Sequence, residues 1–133
     1  MKVHGTCHCS AIAYEAVVDP ARTVVCHCAD CQVLSGAPFR ASAPAKAEDF
    51  KLLRGVPTVY VKTAESGNPR AQGFCGACGS ALYSADAPDA KVYNLRIGAM
   101  AERDALPPRR AIWCGSALDW TRDLLDLPDI QKQ

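Results

Sequence analysis

Seven of the eight cysteines in this chain fall into three tight groups: Cys7-x-Cys9, Cys26-x-Cys28-x2-Cys31 and Cys75-x2-Cys78. No other feature of the sequence restricts the fold as strongly. Thiolates held ~2.3 Å from a tetrahedral zinc ion lie less than ~4 Å from one another, so each group has to present adjacent sulfurs. Cys75-Gly76-Ala77-Cys78-Gly79 has the small residues that let a loop wrap round an ion. A C-x-C pair achieves the same in extended chain, where residues i and i+2 share a side. That alternation turns His8 and His27 the other way, beside ligands in sequence but not ligands themselves. Cys26, Cys28 and Cys31 are too close in the chain to be shared between two ions. The economical division therefore joins Cys7, Cys9, Cys75 and Cys78 in one zinc site and leaves Cys26, Cys28 and Cys31 around a second. Four protein ligands make a closed, structural site, whereas three leave an open position of the catalytic type.

The rest of the sequence limits where such a protein works. Its 133 residues suit a single domain, and 49% hydrophobic residues exclude a disordered or fibrous chain. A net charge of +1 gives no basic field for nucleic acid. No export signal is visible, since the apolar stretch Ala11–Tyr14 stops at Glu15. Nothing approaches the ~18 apolar residues of a membrane span. The chain thus reads as cytoplasmic, with neither nucleic acid nor membrane as partner, and in that compartment clustered cysteines serve metals or catalysis. The alternatives are a disulfide framework using all eight cysteines and a pair of closed zincs with Cys114 as fourth ligand to the second. Two closed zincs would make the protein a binding module without catalysis. By its apolar neighbours Ala111-Ile112-Trp113, Cys114 reads as an ordinary strand cysteine.

Short β-type runs separated by Gly, Pro, Asp and Asn occupy most of the chain. We expect strands near residues 11–18, 24–26, 39–43, 50–53, 58–62, 70–74, 81–84, 92–97 and 111–114, which suggests a mainly β, mostly antiparallel fold. Helical patterning is limited to single turns near residues 28–34, 102–105 and 119–127. Exposed sheet edges would allow a homodimer.

Three thiolates on a divalent zinc leave a centre of net charge −1, a weak Lewis acid for activating water. It remains suited to a soft ligand, and a thiol bound there gives up its proton. The natural role is to present a small-molecule thiol as thiolate, so that an adduct at a carbonyl carbon forms or collapses.

The ordered set Gly5-x-Cys7-His8-Cys9, Cys26-His27-Cys28-x2-Cys31, Ser35-Gly36-Ala37-Pro38-Phe39, Phe74-Cys75-x2-Cys78-Gly79-Ser80 and Ile112-Trp113…Trp120 resembles the glutathione-dependent formaldehyde-activating enzyme family, also called the GFA or CENP-V domain family. The resemblance runs from Gly5 to about Leu127, with residues 128–133 as a tail. It implies an Mss4-like fold, a zinc-bound antiparallel β-sandwich or "β-tent". It also implies the same division of ligands, with Cys7, Cys9, Cys75 and Cys78 structural and Cys26, Cys28 and Cys31 around a catalytic zinc. The implied activity is carbon–sulfur lyase chemistry, interconverting S-hydroxymethylglutathione with glutathione and formaldehyde, and the implied partner is a glutathione-like thiol. Members often carry His just before the Ile-Trp element, where this chain has Ala111. Arg40, Arg70, Arg96, Arg109 and Arg110 are candidates for the substrate carboxylates, and the Ser35-Gly36 turn for backbone donors to a ligand.

Overall fold

The computed structural model describes residues 1–132. Among these, ten strands form two sheets. A three-stranded antiparallel sheet has the order β1 (Lys2–Thr6), β2 (Ala13–Val17), β5 (Phe50–Arg54). The second has seven strands in the order β10 (Arg110–Ile112), β3 (Val24–Cys26), β4 (Arg40–Lys46), β9 (Val92–Arg96), β8 (Ala81–Asp86), β7 (Pro69–Phe74) and β6 (Thr58–Thr63). Every expected strand is present within a few residues, and the fold is mainly β. The expected turn near residues 28–34 is the α-helix α1 (Ala29–Ser35). The other two are 3-10 turns, Arg103–Ala105 and Asp119–Asp126.

The pairing is mostly antiparallel, as expected, with one parallel exception. Strand β1 was not among the expected strands, and β10 runs parallel to β3, pairing Arg110 with Val24 and Ile112 with Cys26. The parallel pair follows from how the chain arrives. Thr23 Oγ1 donates to the Pro107 carbonyl at 2.7 Å, and Arg109 N–H donates to the Thr23 carbonyl at 3.0 Å. These bonds fix the incoming segment beside the start of β3, so the two strands set out together.

Alternation along the central strands decides which face meets the other sheet. Ala43 and Ala45 of β4, Tyr83 and Ala85 of β8 and Leu95 of β9 are buried in the core. Their neighbours Arg40, Ser42, Ser84 and Arg96 project to the opposite face, yet they are buried as well. The sheets meet through aromatic rings: Phe50 of β5 stacks on Tyr93 of β9 with centroids 4.4 Å apart and lies 5.9 Å from Tyr83. Tyr83 and Tyr93 then meet edge to face at 5.0 Å. Such pairs contribute about 0.5–1.5 kcal/mol each beyond area burial.

Strand β1 is held at both edges. It pairs with β2 from Lys2↔Val17 to Thr6↔Ala13, and on its other side Ala101 N–H donates to the His4 carbonyl at 2.9 Å. Glu102 accepts from the His4 backbone N–H at 2.8 Å and lies 2.7 Å from His4 Nδ1. Gly5 faces inward against the ring of Tyr14, where an added Cβ would fall 2.0 Å from Tyr14 Cζ. Only a residue without a side chain lets β1 close over Tyr14. We expect Gly5→Ala to cost about 1–3 kcal/mol through overpacking, measured as a lower urea midpoint at unchanged slope. An unchanged midpoint would show that Tyr14 is free to move.

Candidate metal centres and the adjoining cleft

The Cys7/Cys9 and Cys75/Cys78 pairs each sit at the tip of a hairpin. The β1–β2 tip holds Cys7 and Cys9, closed by Ser10 N–H to the Cys7 carbonyl at 2.9 Å and Cys7 N–H to the Ile12 carbonyl at 3.1 Å. The C-x-C pair is therefore carried in a tight turn, not in the extended chain that the sequence suggests, and Ser10 takes a positive φ of 61° to complete it. The β7–β8 tip holds Cys75 and Cys78 and is closed in a similar way, by Gly79 N–H to Cys75 O at 2.8 Å and Cys75 N–H to Ser80 O at 2.9 Å. Gly79 has φ 76° there, a conformation that glycine adopts without strain.

The two tips come together so that all four sulfurs lie within 4.8 Å of one another. Cys7 Sγ is 3.6 Å from Cys9 Sγ, which is 3.7 Å from Cys75 Sγ. Four thiolates ~2.3 Å from a common tetrahedral ion would be spaced ~3.8 Å apart, so the cage fits a metal ion. The backbone already favours anionic sulfur. Ile12 N–H donates to Cys7 Sγ at 3.2 Å. Ser80 Oγ accepts from His8 N–H at 2.9 Å and lies within hydrogen-bond distance of Cys78 Sγ, at 3.2 Å. That hydroxyl, helped by backbone donors, pulls Cys78 down to about 5. The Ala11 N–H also acts to lower Cys9, but the neighbouring sulfurs of Cys7, Cys78 and Cys75 outweigh it and push Cys9 up to about 11.

The third group is built by the start of α1. Cys26 ends β3, and Cys28 caps the helix, its sulfur accepting from Cys31 N–H at 3.3 Å. The sulfurs of Cys26, Cys28 and Cys31 all lie within 4.8 Å of one another. Burial, then the neighbouring sulfurs of Cys28 and Cys26, pushes Cys31 up to about 12. Among the described residues no fourth Cys, His, Asp or Glu joins this trio. Cys114 lies outside both groups, exposed in the 3-10 turn Cys114–Ser116 and not in a strand. All eight cysteines are free thiols.

The histidines also stay out of both groups. His27 packs against Phe39 with centroids 5.5 Å apart. The Ser35-Gly36 turn closes the helix: Gly36, at φ 63°, spends its N–H on the Gln32 and Val33 carbonyls, and Ser35 Oγ donates to the Cys31 carbonyl at 2.6 Å.

Beside the trio opens a cleft of about 980 Å³. The three cysteines stand at one end, Trp113 and Ser116 form part of the rim, and Lys62 and Arg70 stand towards β6 and β7. Trp113 is held at φ 57°, a strained conformation for a large side chain. Gln32 Nε2 ties α1 to this rim through the carbonyls of His27 at 2.8 Å and Ser116 at 2.9 Å. The floor is the polar face of the seven-stranded sheet. Register places Arg40 opposite Cys26 and Ser42 opposite Arg96, with Asn94, Ser84 and Gln72 in line across β9, β8 and β7. Of the five arginines considered from sequence, Arg40, Arg70 and Arg96 line the cleft, and Arg109 and Arg110 are exposed outside it. Trp120 is likewise exposed and outside. Sequence reasoning missed Ser42, Gln72, Ser84 and Asn94; the polar–apolar alternation of Arg40-Ala41-Ser42-Ala43 and Asn94-Leu95-Arg96 is the signal that marks such a face.

A family model for the glutathione-dependent formaldehyde-activating enzyme matches residues 2–116, a span that contains all eight cysteines. The chain belongs to that family. Among curated proteins none matches it. The crystal structure of a Rhodobacter sphaeroides protein is similar in fold, with TM-score 0.62 and 22% identity over 84% of this chain and 99% of that one. In this formaldehyde-activating-enzyme family member the two thiol groups could each hold a metal ion, and no helix among the described residues is long and apolar enough to cross a membrane.

The geometry separates the cysteines by role in metal retention. Cys114→Ser should leave the metal content of the purified protein unchanged by elemental analysis, and loss of one equivalent would place Cys114 in a site. Cys75→Ser should lose the four-sulfur ion and with it a large part of the stability, because metal affinity at such a site is folding free energy. A Cys75→Ser protein melting at the wild-type temperature would contradict this.

Proposed function

We propose that the chain is a zinc enzyme acting on a small thiol adduct, a carbon–sulfur lyase of the type that interconverts S-hydroxymethylglutathione with glutathione and formaldehyde. The single observation that carries this reading is the contrast between the two thiol groups: four sulfurs gathered between two hairpin tips, and three, with no fourth donor among the described residues, at one end of a cleft. Cys7, Cys9, Cys75 and Cys78 hold a structural zinc. Cys26, Cys28 and Cys31, which line the cleft, would hold the catalytic zinc. Soft sulfur donors in tetrahedral array favour zinc over the harder divalent ions.

When bound at the trio, zinc would stabilise a substrate thiol in its thiolate form. The chain's own residues supply the rest. Cys28 and the Cys31 N–H fix the sulfur array at the helix start. Trp113 and Ser116 wall the approach, and the floor offers polar side chains to the remainder of the ligand. In the forward direction the thiol sulfur forms a bond to the formaldehyde carbon, the carbonyl π pair moves to oxygen, and the proton given up by the thiol ends on that oxygen. The reverse step breaks the C–S bond and returns the proton to sulfur. Family membership and the softness of the open site support this substrate class.

The test is turnover of S-hydroxymethylglutathione followed by NMR with zinc-loaded protein. Cys26→Ser is expected to fold, to keep the four-sulfur zinc and to lose turnover by at least ~100-fold. Wild-type turnover in Cys26→Ser would overturn the assignment.

A further inference from the structure

The floor of the cleft carries two buried guanidinium groups with no acid between them. Arg40 and Arg96 are only 6% and 7% exposed. Both donate to one acceptor, Gln72 Oε1, from Arg40 Nη1 at 3.0 Å and Arg96 Nη2 at 3.4 Å. Arg96 Nη1 also donates to Ser42 Oγ at 2.7 Å. Among the described residues neither arginine forms an ion pair. Both Nε–H groups are buried without a partner. The acids that line the cleft are engaged elsewhere or exposed: Asp30 pairs with Lys62, Asp86 pairs with Arg70, and Glu65 lies on the exposed loop after β6.

Two desolvated cations sharing a single neutral amide are a costly arrangement. A buried charge is ordinarily paired, and an arginine cannot escape by losing its proton at neutral pH. The cost is visible at Arg96, which burial, and then the charge of Arg40, holds down to about 9. A fold keeps such a pair where something supplies the missing negative charge. The register sets the pair beside the open thiol trio, since Cys26 stands directly opposite Arg40, and both arginines face the cleft.

We propose that Arg40 and Arg96, braced by Gln72 and Ser42, form an anion subsite that takes a carboxylate of the ligand whose sulfur meets Cys26, Cys28 and Cys31. Resting on the thiol reading above, it assigns the residues that hold that ligand at a second point. A planar carboxylate matches the paired N–H donors of guanidinium groups and fills the charge that the floor lacks. The rival role for the arginines is to balance the charge of the sulfur trio alone. That role favours any thiol equally and gives no preference for a carboxylate.

The test uses the zinc-loaded full chain and calorimetric titration with glutathione and with glutathione diethyl ester, which keeps the thiol and removes both carboxylates. Wild type should bind glutathione at least about tenfold more tightly, the scale of one charge-assisted contact. Arg96→Gln and Arg40→Gln should each shrink that ratio while leaving ester affinity nearly unchanged. Equal affinity for acid and ester in the wild type, a comparison that needs no variant, would overturn the subsite. A second arm follows the arginine Nε–H signals by NMR as propionate, which has no sulfur, is added. Shifts confined to Arg40 and Arg96, assigned with the single variants, support the subsite even if no thiol reaches the metal; unmoved signals at saturating propionate overturn it. Failure of the thiol reading is seen separately, as absence of ester binding.

Discussion

The tie between two distant hairpin tips is the constraint on which the rest of the molecule depends. Cys7 and Cys9 leave β1 just after it crosses Tyr14, and Cys75 and Cys78 leave β7 just before it turns into β8. Bringing those four sulfurs within 4.8 Å fixes the N-terminal sheet against one end of the larger one. The aromatic stack of Phe50, Tyr83 and Tyr93 lies between the sheets. A domain of this size buries a modest core, and an ion held by four thiolates adds folding free energy that its apolar side chains do not need to supply.

With the two sheets fixed in this way, the central sheet can bury both of its faces for different reasons. The face towards β1, β2 and β5 is apolar and holds the fold together. The other is lined with buried polar residues and opens to the cleft. Because side chains alternate strictly along a strand, the same four central strands serve both purposes, and a slip of one residue would exchange them. Arg40 and Arg96 lie near the sulfur trio because β3, β4 and β9 are consecutive neighbours in the sheet, not because they are close in sequence.

Much of this was legible in the residues. The cysteine spacing defines three groups, because the cysteines within a group are too close in the chain to serve different ions, and the economical pairing of the two-cysteine groups matches the observed division into four and three. The turn signals located nine of the ten strands. Strand β1 escaped because its inward positions are Val3 and Gly5, and a glycine selected for closeness to Tyr14 leaves no hydrophobic alternation to read. The Cys7-x-Cys9 spacing suggests extended chain, because spacing alone does not reveal a turn completed by a serine at positive φ. Cys114 reads as a strand residue from its apolar neighbours, yet β10 ends at Ile112 when the backbone turns at Trp113. The arginine pair was the least legible feature. Either residue alone resembles a solvated surface charge, and only strand register, a long-range property, shows that the two share one acceptor.

The central claim is that one site is closed by protein sulfur and the other has a position open to a thiol. X-ray absorption at the zinc edge measures it most directly, since the averaged signal counts sulfur neighbours per ion. The account predicts a count midway between three and four sulfurs per zinc in the protein loaded at both sites, rising to four when glutathione is added. A count of four without any thiol, or one that glutathione leaves unchanged, would contradict it.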